Sequence, residues 1–134
     1  DLLPTILGWL DDSNASPLEN VDGMSVLPLV RTARAEWREF LISTSNICRT
    51  IRTPSWCLRQ DVPFGKMGAE LADDQDAGEL YVRPDDRWEA NDVTKLCPDV
   101  VETLSQAMDD VWRHVLRNEP IPMRPTTPIT SEAT

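Results

Sequence analysis

The chain of 134 residues contains one histidine, one tyrosine and three cysteines. Three cysteines cannot all pair within one chain, and Cys48, Cys57 and Cys97 lack C-x-x-C spacing, which excludes a disulfide scaffold and a zinc finger. Whether Cys48 and Cys57 pair stays open. No apolar run approaches the roughly 20 residues that cross a bilayer, so no membrane span is predicted. With 13 basic against 23 acidic residues, the net charge of −10 makes nucleic-acid binding unexpected.

Candidate nucleophiles lack the partners that catalysis requires. Residues 23–27 resemble a G-x-S-x-G elbow, but Leu27 replaces the second glycine that the tight turn needs. His114 lies near the end of a predicted helix, where a cation that offsets the helix dipole is the simpler interpretation than a catalytic base. The acidic run 74–79 begins like a calcium loop but lacks Asp or Asn at its fifth position and Gly at its sixth. We therefore predict no catalytic, cofactor-binding or metal-binding residue.

Two further groups of side chains stand out in the sequence: for the first, two interpretations remain open, and for the second we expect a structural role. The first is a set of arginines that either bind an anionic substrate or balance nearby carboxylates. Its members are Arg31, Arg34, Arg38, Arg49, Arg52 and Arg59. The second is the set of tryptophans, which we expect in the core or at its boundary. These are Trp9, Trp37, Trp56, Trp88 and Trp112.

The first thirty residues contain two apolar segments. Leu2–Leu10 carries apolar residues at helical spacing, with Pro4 tolerated in the first turn, and predicts a short helix with one buried face. The polar stretch 11–17 predicts a surface loop. Residues 22–30 begin with a turn dipeptide and contain a proline among apolar residues, which favours a docked irregular segment over a long helix or a central strand.

Four short segments further along have strand character. They span residues 40–45, 47–52, 56–59 and 78–83. The first three are rich in β-branched or aromatic residues and are separated by Asn46 and by the turn at 53–55, which predicts an antiparallel meander. The fourth lies between two acidic segments, which we expect to be solvated loops.

Residues 98–117 predict a long amphipathic helix that begins with Pro98 in its first turn. Its apolar stripe, at steps of three and four, consists of Val100, Val101, Leu104, Met108, Val111, Trp112 and Val115. The predicted fold class is α+β: a small four-stranded antiparallel sheet, one long C-terminal helix packed on it and a short N-terminal helix. We expect the sheet to pack against Val101, Leu104, Met108, Val111 and Val115.

Short motifs follow one another in a recognisable order. They are D-L-L-P-T-I-L at 1–7, V-D-G-M-S-V-L-P-L at 21–29, I-R-T-P-S-W at 51–56, G-E-L-Y at 78–81, R-W-E-A-N-D-V at 87–93 and C-P-D-V-V at 97–101. This order resembles the C-terminal part of the sulfatase family. There the run is D-x-x-P-T-x-L, D-G-x-S-L-L-P-L-L, R-T-x-x-W-K and E-L-Y-D-L-x-x-D-P-x-E-x-x-N-L, before a helix begun by P-E-L or P-x-V-V. Departures are Val82 for the usual Asp, Cys57 for a common Lys and Arg87-Trp88 around the D-P position.

The resemblance implies the C-terminal subdomain of a formylglycine-dependent sulfatase, an α/β enzyme of the alkaline-phosphatase superfamily. In that family a separate N-terminal domain carries C/S-x-P/A-x-R, whose Cys or Ser becomes formylglycine, and a calcium ion held by Asp and Asn. The nearest match here, residues 48–52, has Thr50 at the Pro/Ala position, so Cys48 is rejected as the nucleophile. Calcium and formylglycine are therefore expected only in the N-terminal catalytic domain, and the chain alone is expected to be inactive.

The same resemblance divides the chain into three parts. Residues 1–30 are expected at the seam with the catalytic domain, 31–118 form the subdomain, and 119–134 form a disordered tail rich in proline and threonine. The start of the chain has neither a basic segment nor an initiator Met, so we expect it to be incomplete. A typical bacterial sulfatase would place the protein in the periplasm or outside the cell.

Two alternatives to a sulfatase subdomain stay open. One is a free-standing α+β module that binds a protein partner through its apolar surface. The other is the same subdomain of a phosphodiesterase or phosphonate hydrolase of the superfamily. In either case the apolar residues of 2–10 and 26–30 exceed what one small sheet and helix readily cover, which predicts self-association of the isolated chain.

Overall fold

A computed structural model describes residues 1–10, 23–32, 38–61, 78–119 and 121. The chain forms two compact units, Asp1–Trp37 and Arg38–Thr134. The predicted surface loop at 11–17 lies outside the described residues, as does the predicted tail apart from residues 119 and 121. None of the described helices is long and apolar enough to cross a membrane.

The first unit contains two helices, α1 (Leu2–Leu10) and α2 (Leu27–Thr32). The short N-terminal helix is confirmed, but the predicted buried face is wrong, because α1 has no buried residue. The irregular conformation predicted for 22–30 is also wrong in its second half, where α2 begins. Pro28 lies in the first turn of α2, where a missing N–H breaks no helical hydrogen bond. The Ser25 hydroxyl accepts the Leu27 N–H at 3.3 Å and so supports this helix start.

The side chains of Asp1, which precedes α1, and of Thr5 within α1 hold the backbone that precedes α2. The Asp1 carboxylate accepts the Met24 N–H at 2.8 Å, and the Thr5 hydroxyl accepts the Val26 N–H at 3.0 Å. Gly23 has a φ of 98°, and a Cβ there would lie 2.5 Å from the Asp1 nitrogen. Only glycine combines this conformation with so close an approach. The D-x-x-P-T and D-G-x-S motifs are therefore two halves of one local structure.

The second unit contains the predicted four-stranded antiparallel meander. Its strands are β1 (Leu41–Thr44), β2 (Cys48–Arg52), β3 (Trp56–Asp61) and β4 (Glu79–Val82), paired in the order β1-β2-β3-β4. Strand β3 runs two residues past the predicted end, at residue 59. One cross-strand row consists of Ile42, Ile51, Leu58 and Leu80. Because side chains alternate along a strand, this row lies on a single face of the sheet.

Helix α3 (Pro98–Leu116) covers that apolar face. The shared core contains Phe40, Ile51, Trp56, Leu58 and Leu80 together with Val101, Leu104, Ala107, Met108 and Val111. The predicted packing is confirmed for four helix residues, but it is wrong for Val115, which is 45% exposed. Val115 and Leu116 are 45 and 66% exposed, so the last turn of α3 lies largely outside this core.

Polar contacts flank the core and orient α3 on the sheet. The Arg49 guanidinium donates to Asp109 at 2.5 Å and to Gln60 at 3.0 Å. The Gln60 amide in turn donates to the Ser105 hydroxyl at 2.9 Å. These directional bonds join β2, β3 and α3 at specific residues, which non-directional apolar packing cannot do.

Removing part of the Leu104 side chain should strongly destabilise the second unit. Leu104 is fully buried, so we expect Leu104→Ala to lower the free energy of unfolding by about 2–5 kcal/mol. The measurement is urea unfolding followed by fluorescence. Val115→Ala is the matched control on the same helix and should have a much smaller effect. Equal effects of the two substitutions would contradict the placement of the helix.

The isolated chain should associate more strongly as salt is raised. Leu2, Trp9 and Leu10 are 81, 77 and 76% exposed. Repulsion from the net charge of −10 is screened beyond about 8 Å at physiological salt, whereas apolar contact is not. Light scattering across a salt series tests this. Leu10→Glu should reduce association, and Leu96→Glu, at an exposed position in the other unit, is the control. A chain that stays monomeric at every salt concentration would refute the prediction.

Candidate functional site

The face of the sheet opposite α3 carries polar and buried residues side by side. The cross-strand row next to the core row consists of Leu41, Arg52, Cys57 and Tyr81. Cys57 is fully buried and Tyr81 is only 7% exposed. This face is therefore partly enclosed, although α3 does not cover it.

A carboxylate from the connection between β4 and α3 reaches this face. Glu89 accepts a hydrogen bond from the Arg52 guanidinium at 2.7 Å, and the Arg83 guanidinium lies 3.6 Å from the same oxygen. Arg52 lies directly opposite Cys57 in the β2–β3 register. We call Arg52, Cys57, Tyr81, Arg83 and Glu89 the polar-face cluster. With two guanidiniums within 4 Å of one carboxylate oxygen, Glu89 joins β2 to the residue that follows β4.

Burial governs the acid–base behaviour of the cluster. It is the main cause that raises the pKa of the Cys57 thiol, and the negative charge of Glu89 acts in the same direction while Arg52 opposes it. Burial also raises the pKa of Tyr81 to about 12, with a smaller contribution from Glu79. A thiol with a raised pKa supplies little thiolate at neutral pH. Cys57 is therefore a poor nucleophile.

The segment 83–97, which we call the 83–97 loop, is held by backbone hydrogen bonds to two aspartates. Asp86 accepts the Ala90 N–H at 3.0 Å and the Asn91 N–H at 2.7 Å. These two bonds, that from Ala90 first, lower the pKa of Asp86. Glu89 lies between Asp86 and Ala90 in the chain and has a φ of 53°, a conformation that non-glycine residues rarely adopt.

The second aspartate closes the outer edge of β4. The Leu80 N–H lies 3.0 Å from the Asp92 carboxylate and 2.8 Å from the Thr94 hydroxyl, and the Val93 N–H donates to the Leu80 carbonyl at 2.8 Å. The Thr94 hydroxyl also donates to Asp92, which is the main cause of the lowered pKa of Asp92. An edge strand covered in this way cannot pair with another chain.

The residues that sequence considered for catalysis do not converge. Cys48 lies on β2, where its thiol is 3.4 Å from the Ser45 hydroxyl. His114 lies in the last turn of α3, with Nδ1 3.3 Å from the Glu119 carboxylate. Ser25 caps α2 in the other unit. Cys48, Cys57 and Cys97 are free thiols, so Cys48 and Cys57 do not form a disulfide in this structure.

The three arginines of this set that lie on the sheet pair with carboxylates. Arg49 pairs with Asp109, Arg52 with Glu89, and Arg59 lies 3.5 Å from Asp61 and 3.7 Å from Glu79. Arg38 also has an interaction partner, Arg31 is exposed on α2, and Arg34 lies outside the described residues. Charge balance is thus the better of the two interpretations for the three arginines on the sheet.

The acidic run 74–79 and the five tryptophans are each described only in part. Residues 74–77 lie outside the described residues, while Gly78 has a φ of 79° and Glu79 begins β4. Of the tryptophans, Trp56 is buried and Trp112 half-buried as expected, and Trp37 is not described. The expected core or boundary location is wrong for Trp9 and Trp88, which are 77 and 83% exposed.

Metal chemistry has no support in the described part of the chain. Within 1–10, 23–32, 38–61, 78–119 and 121, no three His, Cys, Asp or Glu side chains converge so that they could hold an ion.

Comparison of the chain with protein-family models, with curated proteins and with solved structures finds no match.

The sequence analysis did not predict that Asp86, Glu89 and Asp92 hold the 83–97 loop in place. Asp86 falls in an acidic segment that we predict to be a solvated loop, and Glu89 and Asp92 enter only as letters of the R-W-E-A-N-D-V motif, yet each is the centre of several contacts. A signal was present, because the three are spaced by three residues, as Asp, Glu and Asn are in D-P-x-E-x-x-N. Solvated acidic loops have no reason to keep such a spacing.

The carboxyl of Asp86 should titrate below the ordinary aspartate pKa of 3.8, because its charged form accepts backbone N–H groups. Its native pKa is lower than its unfolded pKa, so Asp86 stabilises the loop above about pH 4 and loses that effect as the pH falls through its native pKa. NMR titration measures this. Asp86→Ala should also accelerate amide exchange at Ala90 and Asn91, whereas Asp85→Ala, at a neighbouring exposed carboxylate, should not. An Asp86 pKa at or above 3.8 would contradict the loop geometry.

Proposed function

We propose that this chain is the C-terminal subdomain of a sulfatase, a sulfuric ester hydrolase of the alkaline-phosphatase superfamily. Its role in the complete enzyme is to support the catalytic domain and to shape the substrate cleft. The nucleophile and metal belong to the catalytic domain, so this chain supplies structure and surface rather than chemistry.

One observation carries the proposal: residues from separate sulfatase-like motifs contact one another. Arg52 of the R-T-P-S-W motif pairs with Glu89 of the R-W-E-A-N-D-V motif, 37 positions away. Trp56 of the first motif is buried opposite Val82, directly after E-L-Y. Asp1 and Thr5 of D-L-L-P-T hold the backbone of D-G-M-S-V. Chance matches to scattered short motifs would have no reason to meet in pairs.

A second candidate is the free-standing module that binds a protein partner. The observation in its favour is the exposure of α1, whose apolar residues Leu2, Leu3, Ile6, Trp9 and Leu10 face solvent. Contiguous exposed apolar surface commonly marks an interface. In the sulfatase proposal the same surface is the seam with the catalytic domain. The two candidates therefore differ in whether that partner belongs to the same polypeptide.

Reading the coding sequence upstream of Asp1 separates these candidates. An in-frame C/S-x-P/A-x-R supports the sulfatase, and a start codon close before Asp1 supports the module. The complete polypeptide should then release 4-nitrophenol from 4-nitrophenyl sulfate more efficiently than from bis(4-nitrophenyl) phosphate. The reverse preference would favour the phosphodiesterase alternative.

The 134-residue chain by itself should release no sulfate from aryl or carbohydrate sulfates, even with calcium supplied, because its described residues assemble no nucleophile with a base and no metal site. Ion chromatography of released sulfate measures this. Cys48→Ala is the control variant. Turnover above background that survives this substitution would mean that the chemistry lies elsewhere in the chain, and turnover lost with it would restore Cys48 as the nucleophile.

A further inference from the structure

The tip of the 83–97 loop exposes an aromatic ring beside a cation. Trp88 is 83% exposed, and the guanidinium carbon of Arg87 lies 5.5 Å from the centre of the Trp88 ring. A guanidinium within about 6 Å is attracted to the electron-rich face of an indole. With one face beneath Arg87 and so high an exposure, the opposite face of the ring is open to solvent.

The backbone beneath this pair is held on both sides. Asp86, immediately before Arg87, accepts two backbone N–H groups of the loop. Glu89, immediately after Trp88, is kept at a φ of 53° while it pairs with Arg52 and Arg83. Rare backbone conformations that the surroundings hold in place concentrate at binding sites. A ligand would find the loop already ordered and would not have to supply that ordering free energy.

Arg87 differs from the arginines of the sheet because no described carboxylate pairs with its guanidinium. Arg49, Arg52 and Arg59 each lie within 4 Å of a carboxylate. In the part of the chain that the structure describes, no carboxylate lies within that distance of Arg87, and its recorded contact is with the Trp88 ring. A guanidinium presents planar donors that match a sulfate or a carboxylate.

The chemistry of the pair defines its ligand. The open indole face fits a flat apolar surface such as the C–H face of a pyranose ring, and the guanidinium beside it fits an anionic substituent on that ring. The site lies on an open loop tip, so one sugar ring would gain one stacking contact and one ion pair. Such a site becomes effective on a polymer, where many identical rings raise the effective concentration.

We propose that Arg87 and Trp88 form a surface subsite for a sulfated polysaccharide, which would hold polymeric substrate on the enzyme. This inference rests on the proposed function, since it names the substrate class of that sulfatase. Because the subsite binds without turnover, its test is separate from that of catalysis. The net charge of −10 disfavours binding of a polyanion to the rest of the surface, so retention should depend on this pair.

Affinity electrophoresis of the 134-residue chain in gels with dextran sulfate or neutral dextran tests the subsite. Retention is expected with dextran sulfate and not with dextran. Trp88→Ala should weaken binding about tenfold through loss of stacking. Arg87→Gln should weaken it about threefold and reduce its salt dependence. Trp88→Phe, which keeps an aromatic face, should retain most of the binding.

Two matched controls carry the comparison. Trp9→Ala removes an equally exposed tryptophan, and Arg117→Gln removes an exposed arginine at the end of α3; neither should change retention. Equal retention by dextran and dextran sulfate, or equal loss in Trp9→Ala and Trp88→Ala, would overturn the proposal. Protection of Trp88 from oxidation by N-bromosuccinimide in the complete polypeptide, but not in the 134-residue chain, would also overturn it, because the ring would then lie in a domain interface. If the coding sequence upstream of Asp1 lacks C/S-x-P/A-x-R but dextran sulfate still retains the chain specifically, the sulfatase proposal is rejected and the subsite proposal stands.

Discussion

The second unit depends on covering one face of a four-stranded sheet with a single helix. Ile51, Leu58 and Leu80 form one row across three strands, and all three are completely buried beneath α3. Burial of a large apolar side chain stabilises a fold by about 1.5–3 kcal/mol, so this row and its helix partners supply the main driving force. On the other face of the sheet, the described residues include the ion pairs of Glu89 with Arg52 and Arg83.

The Glu89 ion pairs join separate elements on that face, and Glu89 directly follows Trp88, an aromatic residue that is 83% exposed. Glu89 lies on a connection between secondary-structure elements, yet it joins Arg52 on β2 to Arg83 at the end of β4. Cys57 is buried opposite Arg52, and its raised pKa leaves little thiolate at neutral pH. The same two ion pairs fix the backbone next to Trp88. Structural support and surface recognition thus depend on one carboxylate.

Sequence periodicity located the sheet and α3 well because both are amphipathic in a regular way. Its predictions were wrong where the conformation or burial of a residue depends on its position in a helix or on a neighbouring element. Pro28 suggested an irregular segment, although proline in a first turn is compatible with a helix. Val115 continues the apolar stripe of α3, but it lies in the last turn of the helix and outside the core. The apolar side of α1 predicted burial, and burial depends on a neighbour that periodicity cannot supply.

The sequence by itself determined the fold class and the order of the elements, since these follow from local spacing and composition. Only the tertiary structure decided that Arg52 meets Glu89, that Asp1 holds the backbone at Met24 and that Asp92 closes the edge of β4. Those contacts join residues 37, 23 and 12 positions apart. Their formation depends on strand register and on the path of a loop, and neither leaves a periodic mark in the chain.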